Sequence, residues 1–398
     1  MKFVVEALGL TVGGGKELAL HLLRGFSNHR EHRFVLLLPD LPEYGTLRSL
    51  NLTCLLFSKP RSLLKRYLLL NRTVVKVCSE QRADALLCLG NFSPRNPPCP
   101  VVVLLQHPYL VYKEPSLEKH LTLREKLIVA YGRKACRRVL PRALVIVQTE
   151  IVRKRLVRLY GLDPRKVTVV PSSCPFPPMD DTGFEEARGE RSRPFTFLCI
   201  SRYMPHKDFE ILVEAINRLP AYTPKPARCV INVSAEQHPG ARILLQRIER
   251  EGLGQRLVSL GWIPTREGFA EAYRSADADI FPSLMETFSF TYLEAMRFRL
   301  PVLTSDRDFA HDRCQDAALY FDPLNADSVA QCMARIVEDG ELRHQLVDRA
   351  TRLMNQVPTW DEIAAQFVAV LEYAAKGSEL RADLRKEGGL DRATPILG

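Results

Sequence analysis

The sequence predicts an α/β protein of two doubly wound domains, each a parallel sheet covered on both faces by helices. Three observations lead there. Short apolar runs alternate with amphipathic stretches along all 398 residues, the pattern of repeated strand–helix units. The apolar runs are continuous rather than alternating, which suits strands buried on both faces. A polar, proline-rich stretch over 172–194, with Pro175, Pro177 and Pro178, divides the alternation in two and reads as an interdomain linker.

Residues 3–7 read as the first strand, Thr11 to Gly15 as a turn, and 16–26 as a helix with Leu18, Leu22 and Phe26 on one face. Strands follow at 34–38, 85–89, 101–105 and 143–148, then a basic amphipathic helix over 150–160 and a strand over 167–170 that runs into Pro171. Past the linker the alternation resumes, with strands at 195–201 and 228–233 and helices at 208–218 and 242–251. The remaining strands are expected at 257–260, 278–282, 301–304 and 318–321, with helices between them. A last amphipathic helix spans 360–375 and a charged tail 376–398. The expected division is 1–180, a linker at 181–194, a second domain over 195–358, and a final helix over 359–375 that crosses back to the first domain. In such folds ligands bind at the carboxyl ends of the strands.

With 46% hydrophobic and 26% charged residues, the chain is neither disordered, collagen-like nor a small disulfide scaffold. No run of eighteen apolar residues spans a membrane, and the first residues lack the apolar core of a secretory signal. The ten cysteines contain no C-x-x-C pair, so buried thiols in a reducing compartment are expected. Residues 1–180 carry 29 Lys and Arg against 13 Asp and Glu, and residues 181–398 carry 27 against 33. The basic half should be drawn to anionic lipid or phosphate. No nucleic-acid recognition motif accompanies its charge, so no nucleic-acid partner is expected. Two basic clusters stand out: Arg61, Lys65, Arg66 and Arg72 around an apolar run at 63–70, and Arg124 to Arg142 around Leu127 and Tyr131. Both have the composition of helices that lie on anionic lipid.

The segment from Phe281 to Met296 carries the most chemistry. Glu286 and Glu294 flank the expected start of a helix near Phe290, with small Thr287 and Ser289 between them. Free amides at that helix start would meet an anion, and Glu294, one turn in, can reach a sugar diol. In Ser201-Arg-Tyr-Met-Pro-His-Lys-Asp208, Arg202 ends a strand and Lys207 precedes a helix, so planar fork and point charge can meet a diphosphate from two sides. Gly13-Gly14-Gly15 does not fit G-x-G-x-x-G but permits close backbone approach.

Pro282, Ser283, Glu286, Phe288, Glu294, Ala295 and Met296 resemble the donor-site signature of retaining GT-B glycosyltransferases, family 4 (group 1). Pro301-Val302, Ser305-Asp306 and Ala317 to Pro323 extend the likeness, which covers 195–375 well and the first half more thinly. The resemblance implies two Rossmann-like domains facing across a cleft, the first for the acceptor and the second for a nucleotide-diphosphate sugar. It assigns catalytic roles to Glu286, Arg202, Lys207 and His107, the last as a contact to the donor sugar. Donor-binding roles fall on Gly14, Gly15, Trp262, Ile263, Phe288, Ser289, Phe290, Thr291 and Glu294. The loop at Trp262 and Ile263 would receive the nucleotide base through main-chain contacts, and Gln148 to Glu150 would line the N-terminal wall.

Departures are Thr287 and Ser289 where glycines commonly flank the central Phe, Thr291 where a proline often stands, and Asp208 in place of glycine or asparagine. None removes a charged donor-site residue. No metal or cofactor is expected: Asp277-Ala-Asp279 reads as a helix-to-strand junction, and His21, His29 and His32 read as surface residues without zinc spacing. The expected function is transfer of a hexose-type sugar with retention to a glycan or lipid-linked acceptor, for bacterial surface polysaccharide or glycolipid synthesis. The expected location is the cytoplasm, peripheral to the inner face of the membrane. The alternative is a non-catalytic glycan- or membrane-binding subunit, which a donor site stripped of its charges would favour.

Overall fold

The computed structural model describes residues 1–58, 63–114, 118, 121–178 and 193–386. They form two compact units, one of Met1–Lys113, Thr122–Ser173 and the C-terminal segment from Pro358, the other of Glu114–Leu121 and Cys174–Val357. Most of the expected linker lies outside the described residues.

The first unit is built on seven parallel strands: β1 (Lys2–Glu6), β2 (Arg33–Pro39), β3 (Leu52–Phe57), β4 (Ala85–Cys88), β5 (Val101–Leu104), β6 (Leu144–Val147) and β7 (Val167–Val169). Their order is β3-β2-β1-β4-β5-β6-β7. Val4 of β1 lies opposite Val35 on one side and Leu86 on the other. β1, β4 and β5 are buried almost throughout, as their unbroken apolar runs require. β3 is absent from the expected strands: it is the edge strand, half-buried, and Thr53 and Cys54 break its apolar run.

The second unit holds six parallel strands: β8 (Phe195–Cys199), β9 (Ala227–Ile231), β10 (Leu257–Ser259), β11 (Ala278–Phe281), β12 (Val302–Ser305) and β13 (Ala318–Phe321), in the order β10-β9-β8-β11-β12-β13. Chain order reverses between β8 and β11. That is the switch point of a doubly wound sheet, where loops leaving adjacent strands diverge and open a crevice.

Several expectations are corrected. The first helix begins at Gly13, not Lys16, so the three glycines form its first turn. The basic run near residue 70 is helical over Leu63–Leu68 and Val75–Glu80, with a π-helical stretch at Leu69–Val74 between them; Arg61 lies outside the described residues. The C-terminal helix runs Trp360–Lys386, well into the expected tail, and is broken at Gly377 (φ 62°, ψ −141°). His32 is no surface residue: it is 5% exposed, bonds Glu372 at 2.9 Å and lies against Phe3. The C-terminal helix packs on the helix Gly13–Phe26, where His21 stacks on Trp360 at 4.8 Å and Asn28 donates to Asp361 at 3.0 Å. Gly25 permits the approach, because a Cβ there would lie 2.5 Å from that of Ala364.

Candidate active site

The loops leaving β8 and β11 are tied together at the switch point. After β8 the chain turns through Pro205–Lys207, where the Lys207 amide donates to the Met204 carbonyl at 2.8 Å. After β11 the Leu284 amide donates to the His206 carbonyl at 2.7 Å, and the Ser283 hydroxyl also reaches that carbonyl. The two loops thus share a main-chain contact, and their side chains meet beside it. Lys207 forms an ion pair with Glu286, and Ser283 Oγ donates to the same carboxylate oxygen at 2.7 Å. The Lys207 ammonium also lies 4.7 Å over the Phe281 ring.

Arg202 lies on the same loop and is exposed, with no ion-pair partner among the described residues. Its neighbours are held rigidly. The Ser201 amide donates to Asn232 Oδ1 and the Tyr203 amide to Gln237 Oε1, both at 2.9 Å. Tyr203 stacks between Phe209 and His238, and its hydroxyl bonds Glu210. Asp208 takes a left-handed conformation (φ 49°, ψ 49°) where the helix Phe209–Arg218 starts, which Asp tolerates better than most residues. Burial, then the nearby Glu210, pushes its carboxyl up to about 7.

Thr287 and Phe288 are buried, and Ser289 sits at φ 64° before the helix Phe290–Arg297. The Ser289 side chain caps no amide of that helix and its first turn carries no carboxylate, an arrangement suited to an anion. Thr291 is tied back to the β8 loop, donating to the Ile200 carbonyl at 3.2 Å. Glu294, one turn in, accepts from the Tyr273 hydroxyl at 2.9 Å. Below it Asp279 is fully buried, with no hydrogen-bond partner on either carboxyl oxygen; burial, then Glu294, raises its pKa well above the usual range. Its partner in the Asp-x-Asp pattern, Asp277, holds Arg193 at 2.6 and 2.8 Å, an architectural pairing. Among the described residues no cluster of three His, Cys, Asp or Glu side chains is placed to hold a metal.

The other candidates are spread wider. Ile263 is buried and Trp262 is 51% exposed in the loop after β10, at the outer edge of the second sheet. Gly14, Gly15 and His107 belong to the first unit. Gly14 is exposed, and Gly15 lies against Leu10 and Gln106. His107 is exposed just past β5 and precedes the helix Pro108–Val111. Lys16 is engaged with Glu43 at 2.7 Å, and Gln148 is buried, donating to Ser172 at 2.7 Å. Sequence reasoning missed Asn232 and Tyr273, whose partners lie 31 and 21 residues away, and no local pattern marks either.

Two doubly wound units, with paired charges at the switch point of the second, define the GT-B class of fold. Residues 181–353 match the model of the glycosyl transferases group 1 family. An uncharacterized glycosyltransferase of Methanocaldococcus jannaschii is 25% identical over 193 residues, 48% of this chain and 48% of that one. The chain spans about half the length of the curated relatives it matches most strongly. Among solved structures, the Anabaena protein HepE in complex with UDP and glucose superposes with a TM-score of 0.68 at 18% identity, covering 94% of this chain and 99% of that one. WaaG, a glycosyltransferase involved in lipopolysaccharide biosynthesis, gives 0.69 at 14% identity, covering 93% and 99%. At these identities the structures establish the fold.

Proposed function

We propose that this chain transfers a hexose-type sugar, with retention of configuration, from a nucleotide-diphosphate sugar to a glycan or lipid-linked acceptor in surface polysaccharide or glycolipid synthesis. The observation that carries the reading is the Lys207–Glu286 ion pair at the switch point, beside an exposed Arg202 and a helix start whose first turn carries no carboxylate. As the bond from the sugar to the diphosphate breaks, negative charge grows on the leaving oxygen. Arg202, Lys207 and the amides at Ser289 to Thr291 are preorganised to take it up, and they act more on the transition state than on the ground state. The acceptor hydroxyl attacks from the face the diphosphate leaves, and its proton passes to the departing oxygen. Glu286 accepts hydrogen bonds from the donor sugar and Glu294 from the ribose diol. Phe288 shapes the pocket, and the loop at Trp262 and Ile263 takes the base. In the first unit, Gly14, Gly15 and His107 are assigned to contacts with the donor.

Arg202 and Lys207 supply the charge compensation here, so the reading gives no divalent ion a role. UDP and glucose in HepE and the lipopolysaccharide role of WaaG support donor and pathway class. All four charged donor-site residues are present, which disfavours a non-catalytic subunit.

The reading extends to an anionic membrane surface at the cytoplasmic face. On the helix Leu123–Val139, Leu123, Leu127 and Tyr131 are 75%, 63% and 57% exposed, and exposed Arg124, Lys126, Lys134, Arg137 and Arg138 flank them.

A thermal-shift screen across UDP-, GDP- and ADP-sugars tests the donor. One nucleotide class should raise the unfolding midpoint in proportion to the logarithm of its concentration. No shift with any of the three would reject the donor-site reading.

A further inference from the structure

Ser289 is the conformational weak point of the donor loop. Its φ of 64° and ψ of 104° are sterically disfavoured for any residue with a Cβ, and such a conformation persists only where its surroundings over-determine it. The Ser289 side chain offers no compensation, since it caps no amide of the helix that follows. The preceding Phe288 is 3% exposed and is held from two directions. Phe290 meets its ring edge-on, with centroids 5.4 Å apart. The guanidinium of Arg313 lies 4.4 Å over its face.

Arg313 comes from the helix Asp308–Cys314 that follows β12. Its Nε is shielded from water and has no hydrogen-bond partner, which is costly for a cation. An apolar side chain of the same length would fill the space without that cost. Two local costs, the backbone of Ser289 and the bare Nε of Arg313, therefore meet around one aromatic ring. That ring lies two residues from Glu286 and two residues before the helix whose amides face the proposed diphosphate.

We propose that Arg313 is a positioning residue of the donor loop: stacked on Phe288, it holds Ser289 in the backbone geometry that presents Glu286 and the helix amides to the donor. The inference rests on the donor-site reading given above. It extends that site to a residue outside the loop, one that acts through Phe288.

The test measures calorimetric affinity for UDP, GDP and ADP, together with the unfolding midpoint, in Arg313→Met, Arg313→Lys, Ser289→Gly and the double variant that combines Arg313→Met with Ser289→Gly. Arg313→Met should bind the wild type's nucleotide about tenfold more weakly. Its midpoint should be unchanged or higher, because a buried unsatisfied nitrogen is gone. Arg313→Lys should be as weak, since it keeps the charge and loses the planar face. In the Ser289→Gly background, where glycine adopts a positive φ unaided, Arg313→Met should cost less than about threefold. An unchanged affinity in Arg313→Met, an equal loss in both backgrounds, or a loss matched by a fallen midpoint would overturn the proposal. A wild type that binds none of the three nucleotides would remove the donor-site reading and this inference together; a wild type that binds one while Arg313→Met binds it equally removes the inference alone.

Discussion

Lys207 and Glu286 are 14% and 8% exposed along their side chains, so each has given up most of its hydration. A pair so placed adds little net stability, yet removing one partner strands the other. The arrangement makes sense if an anion is to displace or share the pair. Next to it, Asp208 supplies a pH-dependent element. Its folded pKa of about 7 stands well above the roughly 3.9 of an unfolded Asp. The stability it contributes is therefore fully present below about pH 4 and is lost as pH rises through about 7. Asp208→Asn keeps a side chain that accepts the left-handed conformation and removes the titration. Thermal unfolding should show the variant gaining on wild type between pH 5 and pH 8, by at most about 3 kcal/mol. Parallel pH profiles for the two proteins would show that Asp208 titrates normally.

At the scale of elements, two helices of the first unit invite measurement. Gly25→Ala places a Cβ 2.5 Å from that of Ala364 and 3.3 Å from the Trp360 carbonyl oxygen, so the C-terminal helix must shift. Overpacking costs about 1–3 kcal/mol, against about 1 kcal/mol gained in helix propensity. A lowered midpoint is expected, and a raised one would show that the helices do not approach so closely. On the helix Leu123–Val139 the exposed apolar stripe should bind vesicles rich in anionic lipid at low salt and release them at high salt. Changing Leu123, Leu127 and Tyr131 to Ser should reduce sedimentation with the vesicles. Wild type left in the supernatant at low salt would contradict the membrane reading.

The elements also show what is legible in the sequence. Central strands such as β4 and β5 are readable because burial on both faces demands an unbroken apolar run, and the helix Glu150–Tyr160 because its apolar positions recur at helical spacing. The edge strand β3 escapes because one side of it meets water and its composition is mixed. The glycines at 13–15 read as a turn because propensity disfavours them in a helix, whereas the packing of Leu18, Leu22 and Phe26 carries the helix through them. Within the site, Arg202 is readable as a charge after a strand, Lys207 as one before a helix, and Glu286 and Glu294 as carboxylates flanking a helix start, with their roles implied by the family resemblance. The Arg313–Phe288 stack is not, because it joins residues that only the fold brings together.

Taken as a whole, the molecule divides its charge. The basic half carries the amphipathic helix with its exposed apolar stripe, and the acidic half carries Arg202 and Lys207 at its switch point. In the proposed function, Arg202 and its neighbours bind the diphosphate of a nucleotide sugar. Arg202 is exposed and its guanidinium is engaged with no other charge among the described residues, so Arg202→Ala should leave the fold intact and report on the ligand alone. Calorimetric titration of UDP, GDP and ADP into wild type and Arg202→Ala tests the claim most directly. One nucleotide should bind wild type and lose about tenfold or more in the variant, as expected for a charge-assisted contact worth about 1.5–3 kcal/mol. Equal affinity in the two proteins, or no binding of any of the three to wild type, would contradict it.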